Sequence, residues 1–116
     1  MVLYHYIVLR NELPDGVQLA QTVHAAGESS LLRLDGSLRT GRLPANTHAV
    51  VLAETAKTPL EALEAQLRAA GIAHAAIREP DAPYLGQLLA IGAAPAPRKQ
   101  VGRFFKGLPL AGRRNR

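Results

Sequence analysis

The apolar positions change rhythm several times along the chain, and each change marks an element. Tyr4–Leu9 is a β-prone, almost wholly apolar run, which suits an interior strand buried on both faces. Arg10-Asn11-Glu12 ends it, and Leu13-Pro14-Asp15-Gly16 supplies a turn with two strong breakers. From Val17 the rhythm becomes helical. Leu19, Val23, Ala26 and Ser30 share one face, with Ala20, Gly27 and Leu31 beside it, while Gln18, Gln21, Thr22 and Ser29 fall opposite. The spacing predicts a helix to about Arg33, with the Leu19–Val23 face turned inward. Residues 35–46 are rich in turn residues and read as a surface loop.

Thr47–Glu54 reads as a second strand. Thr58-Pro59-Leu60-Glu61 has the form of a helix start: a hydroxyl to cap the first turn, a proline where no N–H is needed, and a glutamate to complete a capping box. Leu60, Leu63, Leu67 and Ala70 then form an apolar stripe, and Gly71 is the expected stop. Ile72–Arg78 reads as a third strand and Leu85–Gly92 as a fourth, joined by the short, Pro-punctuated Glu79–Tyr84. So short a connection cannot make a parallel crossover, so these two strands are expected to be antiparallel neighbours or otherwise close. The helix-containing connections are expected to be right-handed parallel crossovers. The prediction is a single α/β domain with a mixed four-stranded sheet in the order β-α-β-α-β-β, helices on both faces and a basic C-terminal segment. Residues 98–106 fit a short basic helix docked through Val101, Phe104 and Phe105, and Leu108-Pro109-Leu110 adds a last extended contact.

A length of 116 residues at 47% hydrophobic composition is enough for one cored domain. There is no Cys, which excludes disulfides and thiolate metal sites and fits a reducing compartment. No apolar run approaches the roughly 20 residues of a membrane span. The first residues carry no basic n-region or cleavage site, so a cytoplasmic protein with no membrane partner is expected. Charge changes the picture more. Residues 1–97 hold seven Lys/Arg and all nine Asp/Glu, whereas residues 98–116 hold seven basic residues and no acid. A basic segment on a slightly acidic body suggests an anionic partner such as RNA, or simply a solvated terminus.

The sequence contains neither GxGxxG nor GxxxxGK[ST]. The four histidines sit one to an element with no close pair, so no metal is expected. His24 lies three residues after Gln21 and four before Glu28, near one edge of the first helix. Glu28 could hold its tautomer and raise its pKa. Spacing leaves two readings, a helix-border histidine bonded to its neighbour or a group handling protons or substrate, and the first is the commoner. Glu79 and Asp81 follow the third strand. With Arg10-Asn11-Glu12, Glu54 and the helix start near Gly16, they would gather at the carboxyl edge of the parallel strands, where sites in α/β sheets form. Turn chemistry alone also accounts for Glu79-Pro80-Asp81.

Several of these residues form a pattern. Arg10, Leu13, Gly16, Ala20, Gln21, His24 and Ala25 match the strand end Arg-x-Asp-Leu and the following Gly-Lys-x-Ala-Ala-Gln-x-x-His-Ala of the type 2 peptidyl-tRNA hydrolase family. Gly71–Asp81 resembles that family's third-strand segment, and Leu89-Ala90-Ile91-Gly92-Ala93 its last strand. The likeness spans about residues 3–110. It implies a domain of that type over 1–110 with a basic tail at 111–116, and the same β-α-β-α-β-β fold. It also implies an esterase of translation that cleaves the acyl ester on the terminal ribose of tRNA with water as nucleophile, no metal or other cofactor, tRNA or another RNA as partner, and room for a homodimer. Glu79, with Asp81, would be the carboxylate base or water-positioner. His24 and Gln21 would orient substrate or that water, and Arg10 would stabilise developing oxyanion charge. Arg98, Lys99, Arg103 and Lys106 would hold phosphates. The departures are specific: Val17 stands where the family has a lysine, Glu12 replaces an Asp, Glu79 falls on the family's Asp by spacing from Gly71, and the family's two threonines have no clear counterpart, Gln87 standing before the last strand. They keep two alternatives open: an RNA- or nucleotide-binding module without chemistry, and a hydrolase of a different ester or amide built on Arg78-Glu79-Pro80-Asp81.

Overall fold

A computed structural model describes residues 2–112. In chain order the elements are β1 (Tyr4–Leu9), α1 (Asp15–Ser29), β2 (His48–Ala53), α2 (Leu60–Ala69), β3 (His74–Glu79), β4 (Gln87–Ala93) and a one-turn α3 (Arg98–Val101) that tightens into a 3₁₀ turn at Gly102–Phe104. The four strands form one sheet in the order β2-β1-β4-β3. β1 and β2 are parallel, and β4 is antiparallel to both β1 and β3. β3 therefore runs in the same direction as β1 and β2. The carboxyl ends of β1, β2 and β3 share one edge of the sheet, the carboxyl edge; their starts share the amino edge. The predicted mixed α/β sheet and the antiparallel β3–β4 pair are both present.

Two apolar layers hold the sheet between its helices. On one face Tyr6, Val8, Leu88 and Ile91 pack under Leu60, Leu63 and Leu67 of α2, and under Val101 and Phe105. The three α2 leucines are fully buried, each contributing about 2 kcal/mol. On the other face Ile7, Leu9, Ala75, Ile77 and Ala90 pack against Ala25 of α1. The chain after α3 returns along β2: Ala53 donates its N–H to Pro109 at 2.9 Å and Ala111 donates to Val51 at 2.9 Å, so residues 109–111 cover the carboxyl half of that edge strand.

Two local expectations are overturned. Helix α1 is rotated: it buries Gln21, Ala25 and Ser29, while Leu19 and Val23 are 71% and 73% exposed. The cause is the sheet beneath it. A Cβ on Gly92 would meet Ser29 Oγ at 2.4 Å and the Ala25 carbonyl at 2.7 Å, so the helix rests its backbone on a glycine in β4. Only small residues fit that seam, and the leucine and valine are turned out. Ser29 is buried without an unmet hydrogen bond because its hydroxyl donates to the Ala25 carbonyl at 2.7 Å and pairs with His5 Nε2 at 2.6 Å. The helix also ends at Ser29 rather than near Arg33.

The second correction concerns α2. Neither Thr58 nor Glu61 caps it. The buried carboxylate of Glu54, at the end of β2, accepts the Leu60 N–H at 2.8 Å instead. An anion at a helix N-terminus is favoured both by the free N–H groups and by the helix dipole. Glu61 is left to reach Arg10.

Candidate functional site

The carboxyl edge is built in two halves, separated by α1. The first half lies between the ends of β1 and β2. Arg10, one residue past β1, donates from Nε to the Leu88 carbonyl at 2.6 Å and from its terminal nitrogens to Glu54 at 3.4 Å and Glu61 at 2.6 Å. Glu54 also accepts the Asn11 N–H at 2.9 Å. This is a clamp joining β1, β4, β2 and α2. An open groove of about 1050 Å³ lies beside it, walled by Arg10, Glu12, Asp15, Gln18, Glu54 and the 109–112 segment. Three carboxylates to one guanidinium make it a poor seat for a phosphate.

The second half lies under α1, toward β4 and β3. Alternation along β3 sends Arg78 to the α2 side, where it donates to the buried Glu64 at 2.8 and 3.3 Å, and so sends Glu79 to the α1 side. That pairing raises the Arg78 pKa, chiefly through the hydrogen bond to Glu64 and then through its charge. Glu79 is half-buried and accepts the Asp81 N–H at 3.1 Å, while Asp81 is exposed. Gln21, one turn before Ala25, is 7% exposed, and its amide oxygen is buried with no hydrogen-bond partner. Such a group is rare in folded proteins and calls for a water or a ligand. The first turn of α1 has no side-chain cap, and its Asp15 and Gln18 wall the groove of the first half.

Backbone strain collects at the same edge. The two non-glycine residues in the left-handed region among the described residues are Glu12 (φ 63°), after β1, and Leu85 (φ 48°), before β4. Each such residue costs on the order of 1 kcal/mol and persists only where its surroundings hold it.

The sequence-derived site residues do not all meet. Gln21 and Glu79 lie on the α1 side of the sheet. His24 is on the outward face of α1, 56% exposed, with its Nε2 2.7 Å from Glu28; the expected helix-border bond is present, but the pair stands away from the buried face. Among the described residues no hydrogen bond or ion pair joins Glu79 or Asp81 to His24, Gln21 or Arg10. Val17 is half-buried in the first turn of α1. Arg10 and Arg78, the arginines that could stand in for that lysine, are both committed to carboxylates.

The basic segment lies elsewhere. Arg98 stacks over Tyr4 at 5.5 Å from the ring centre, and Tyr4 starts β1 at the amino edge. Arg103 covers Phe104 at 4.4 Å; Lys99 and Lys106 are exposed. A β1 of six residues separates Arg98 from the carboxyl edge by roughly 20 Å. Arg113, Arg114 and Arg116 of the expected tail lie outside the described residues.

No group of three or more His, Asp or Glu among the described residues is placed to hold a metal ion, and no described helix is long and apolar enough to cross a membrane. The clamp role of Glu54 was missed in the sequence because its partners are 6 and 43–44 positions away; an acid ending a strand just before a Pro-led helix was the available signal. No protein-family model matches the chain, and no curated protein matches it.

Proposed function

We propose that the chain is an esterase of acylated tRNA, hydrolysing the ester between an acyl group and the terminal ribose, with its site on the α1 side of the carboxyl edge. The observation that carries this reading is Gln21: a buried amide oxygen without a partner, on the same side of the sheet as the half-buried carboxylate of Glu79. An acceptor and a base on one side are what a hydrolytic water requires. Gln21 Oε1 accepts one proton of the water in a hydrogen bond, and Glu79 accepts the other as the water oxygen attacks the acyl carbonyl. The dipole of α1, whose N-terminus lies at the same edge, offsets the charge on the carbonyl oxygen. As the tetrahedral intermediate collapses, the ribose oxygen leaves and recovers the proton from Glu79. The sequence pattern from Arg10 to Ala25 supports tRNA as the alcohol, and the basic residues at 98–106 support a polyanionic substrate. His24, paired with Glu28 on the outside, contributes at most to substrate contact in this reading.

A second reading is favoured by one observation: Val17 in the first turn of α1, with Arg10 and Arg78 both paired to carboxylates. A site without a free cation binds acyl-tRNA without cleaving it. Incubating purified protein with an N-blocked aminoacyl-tRNA and following release of free tRNA separates the two. Enzyme-dependent release supports the esterase. Salt-sensitive tRNA binding with no release leaves the binding module and removes the esterase.

A further inference from the structure

The amino edge holds a feature that ester hydrolysis does not use. The chain has three Tyr and two Phe, and four of these five (Tyr4, Tyr6, Phe104 and Phe105) lie on one face of the sheet near its start. Three of them form a continuous ladder. Phe105, 4% exposed, stacks on Tyr6 with centroids 4.4 Å apart; Tyr6 lies 6.1 Å from Tyr4; and Tyr4 stacks on His48 at 5.0 Å and 23°. The ladder begins in the core and ends on an exposed imidazole. β2 is an edge strand and the 109–111 segment covers only its other half, so the face of His48 away from Tyr4 has no strand beside it. The Arg98 guanidinium sits over the Tyr4 ring at 5.5 Å, within cation–π range. Lys99 follows it, exposed.

We propose that this edge is a binding platform for single-stranded RNA, in which an unpaired base stacks on the open face of His48 and Arg98 and Lys99 take the adjoining phosphates. Stacking on an aromatic face suits any base, because each has a π surface, and a neighbouring positive charge holds the backbone. The platform is rigid before binding, since its inner end is locked in the core, so little ordering is lost when a base arrives. Charge is complementary where the platform lies: residues 36–53 and 94–108, which bring His48, Arg98 and Lys99 to this edge, contain no Asp or Glu. A duplex would not fit the role, because its bases are already stacked on each other. The platform stands whether or not the carboxyl edge hydrolyses an ester.

The test is fluorescence anisotropy with labelled octauridylate at low salt, with wild type, His48→Ala, His48→Trp and Arg98→Gln, each checked for native circular dichroism. His48 and Arg98 are exposed, so the variants should fold. Wild type is expected to bind the single strand more tightly than a duplex of equal length. His48→Ala is expected to weaken binding about tenfold, within the range for loss of one stacked base. His48→Trp is expected to restore it, and its indole emission, the only Trp signal in the chain, to be quenched on binding. Arg98→Gln is expected to weaken binding and flatten its salt dependence. Absence of binding by wild type, equal affinity of wild type and His48→Ala, or equal binding of duplex and single strand would each overturn the proposal.

Discussion

Gly92 is the residue on which the α1 side of the molecule depends. Its missing Cβ admits the Ala25 carbonyl and Ser29 to within a distance no side chain tolerates, and that approach sets the rotation of α1 and thus the position of Gln21. Gly92→Ala is expected to destabilise the fold by about 3 kcal/mol or prevent folding, the upper end of overpacking costs; a denaturant titration reads this directly. The same seam buries His5. Ser29 spends its only hydroxyl proton on Ala25, so it must accept from His5, whose Nε2 therefore carries the hydrogen. Burial, and then the charge of Arg39, lower the His5 pKa from 6.5 to about 4. Because the folded value lies below the unfolded one, the neutral form is the stable one. Its contribution is full above pH 6.5 and is lost as pH falls toward 4, amounting to about 3 kcal/mol at 1.36 kcal/mol per pH unit. His5→Gln keeps an N–H donor without a titrating ring. The loss of stability between pH 7 and 4 is expected to be smaller in that variant than in wild type, which isolates the histidine from the carboxylates that titrate over the same range.

At the scale of elements, what the sequence conveyed depended on how local the cause was. The four strands and both long helices follow from runs of apolar residues and from Pro and Gly punctuation, which act within a few residues. The antiparallel β3–β4 pair followed from the length of one connection. The face of α1 did not, because periodicity weighs hydrophobicity while the seam selects for size: Ala25 and Ser29 lie over Gly92, and the larger Leu19 and Val23 are turned outward. Leu19→Ser and Val23→Ser are therefore expected to change stability by no more than about 0.5 kcal/mol, as surface substitutions do. Ala25→Leu, at a fully buried position, is expected to be far more damaging. The start of α2 was misread for a related reason. A capping box is a local pattern, whereas Glu54 caps from the preceding strand and simultaneously holds Asn11 and Arg10. Glu54→Ala removes an acceptor from three donors at once and is expected to cost about 2–4 kcal/mol in an unfolding titration. Of the candidate site, Gln21 and Glu79 were singled out by the family pattern, whereas periodicity set Gln21 opposite the apolar face and only the rotation of α1 buries it. That His24 faces away from them was not legible, since it depends on the same rotation.

For the whole molecule, charge is unevenly placed. Glu12, Asp15, Glu54, Glu61, Glu79 and Asp81 lie at or beside the carboxyl edge together with Arg10 and Arg78, while Arg98 and Lys99 begin the basic run at the amino edge, where Asp35 lies by the start of β3. Under the proposed function, a polyanion approaches the amino edge, and only its end, carrying an uncharged ester, needs to enter the acidic carboxyl edge. The two edges are separated by about the length of a strand, roughly 20 Å, which an extended single-stranded acceptor end of a few nucleotides can span. In the proposed mechanism Glu79, assisted by Gln21, supplies the hydrolytic water at that edge. This mechanism is tested most directly by single-turnover release of tRNA from an N-blocked aminoacyl-tRNA, comparing wild type with Glu79→Gln, Gln21→Ala and His24→Ala at equal tRNA occupancy. The account predicts that Glu79→Gln slows the chemical step at least 100-fold, the scale of a lost general base. It predicts that Gln21→Ala slows it measurably and that His24→Ala leaves it within a few-fold of wild type. A Glu79→Gln protein that releases tRNA as fast as wild type would contradict it.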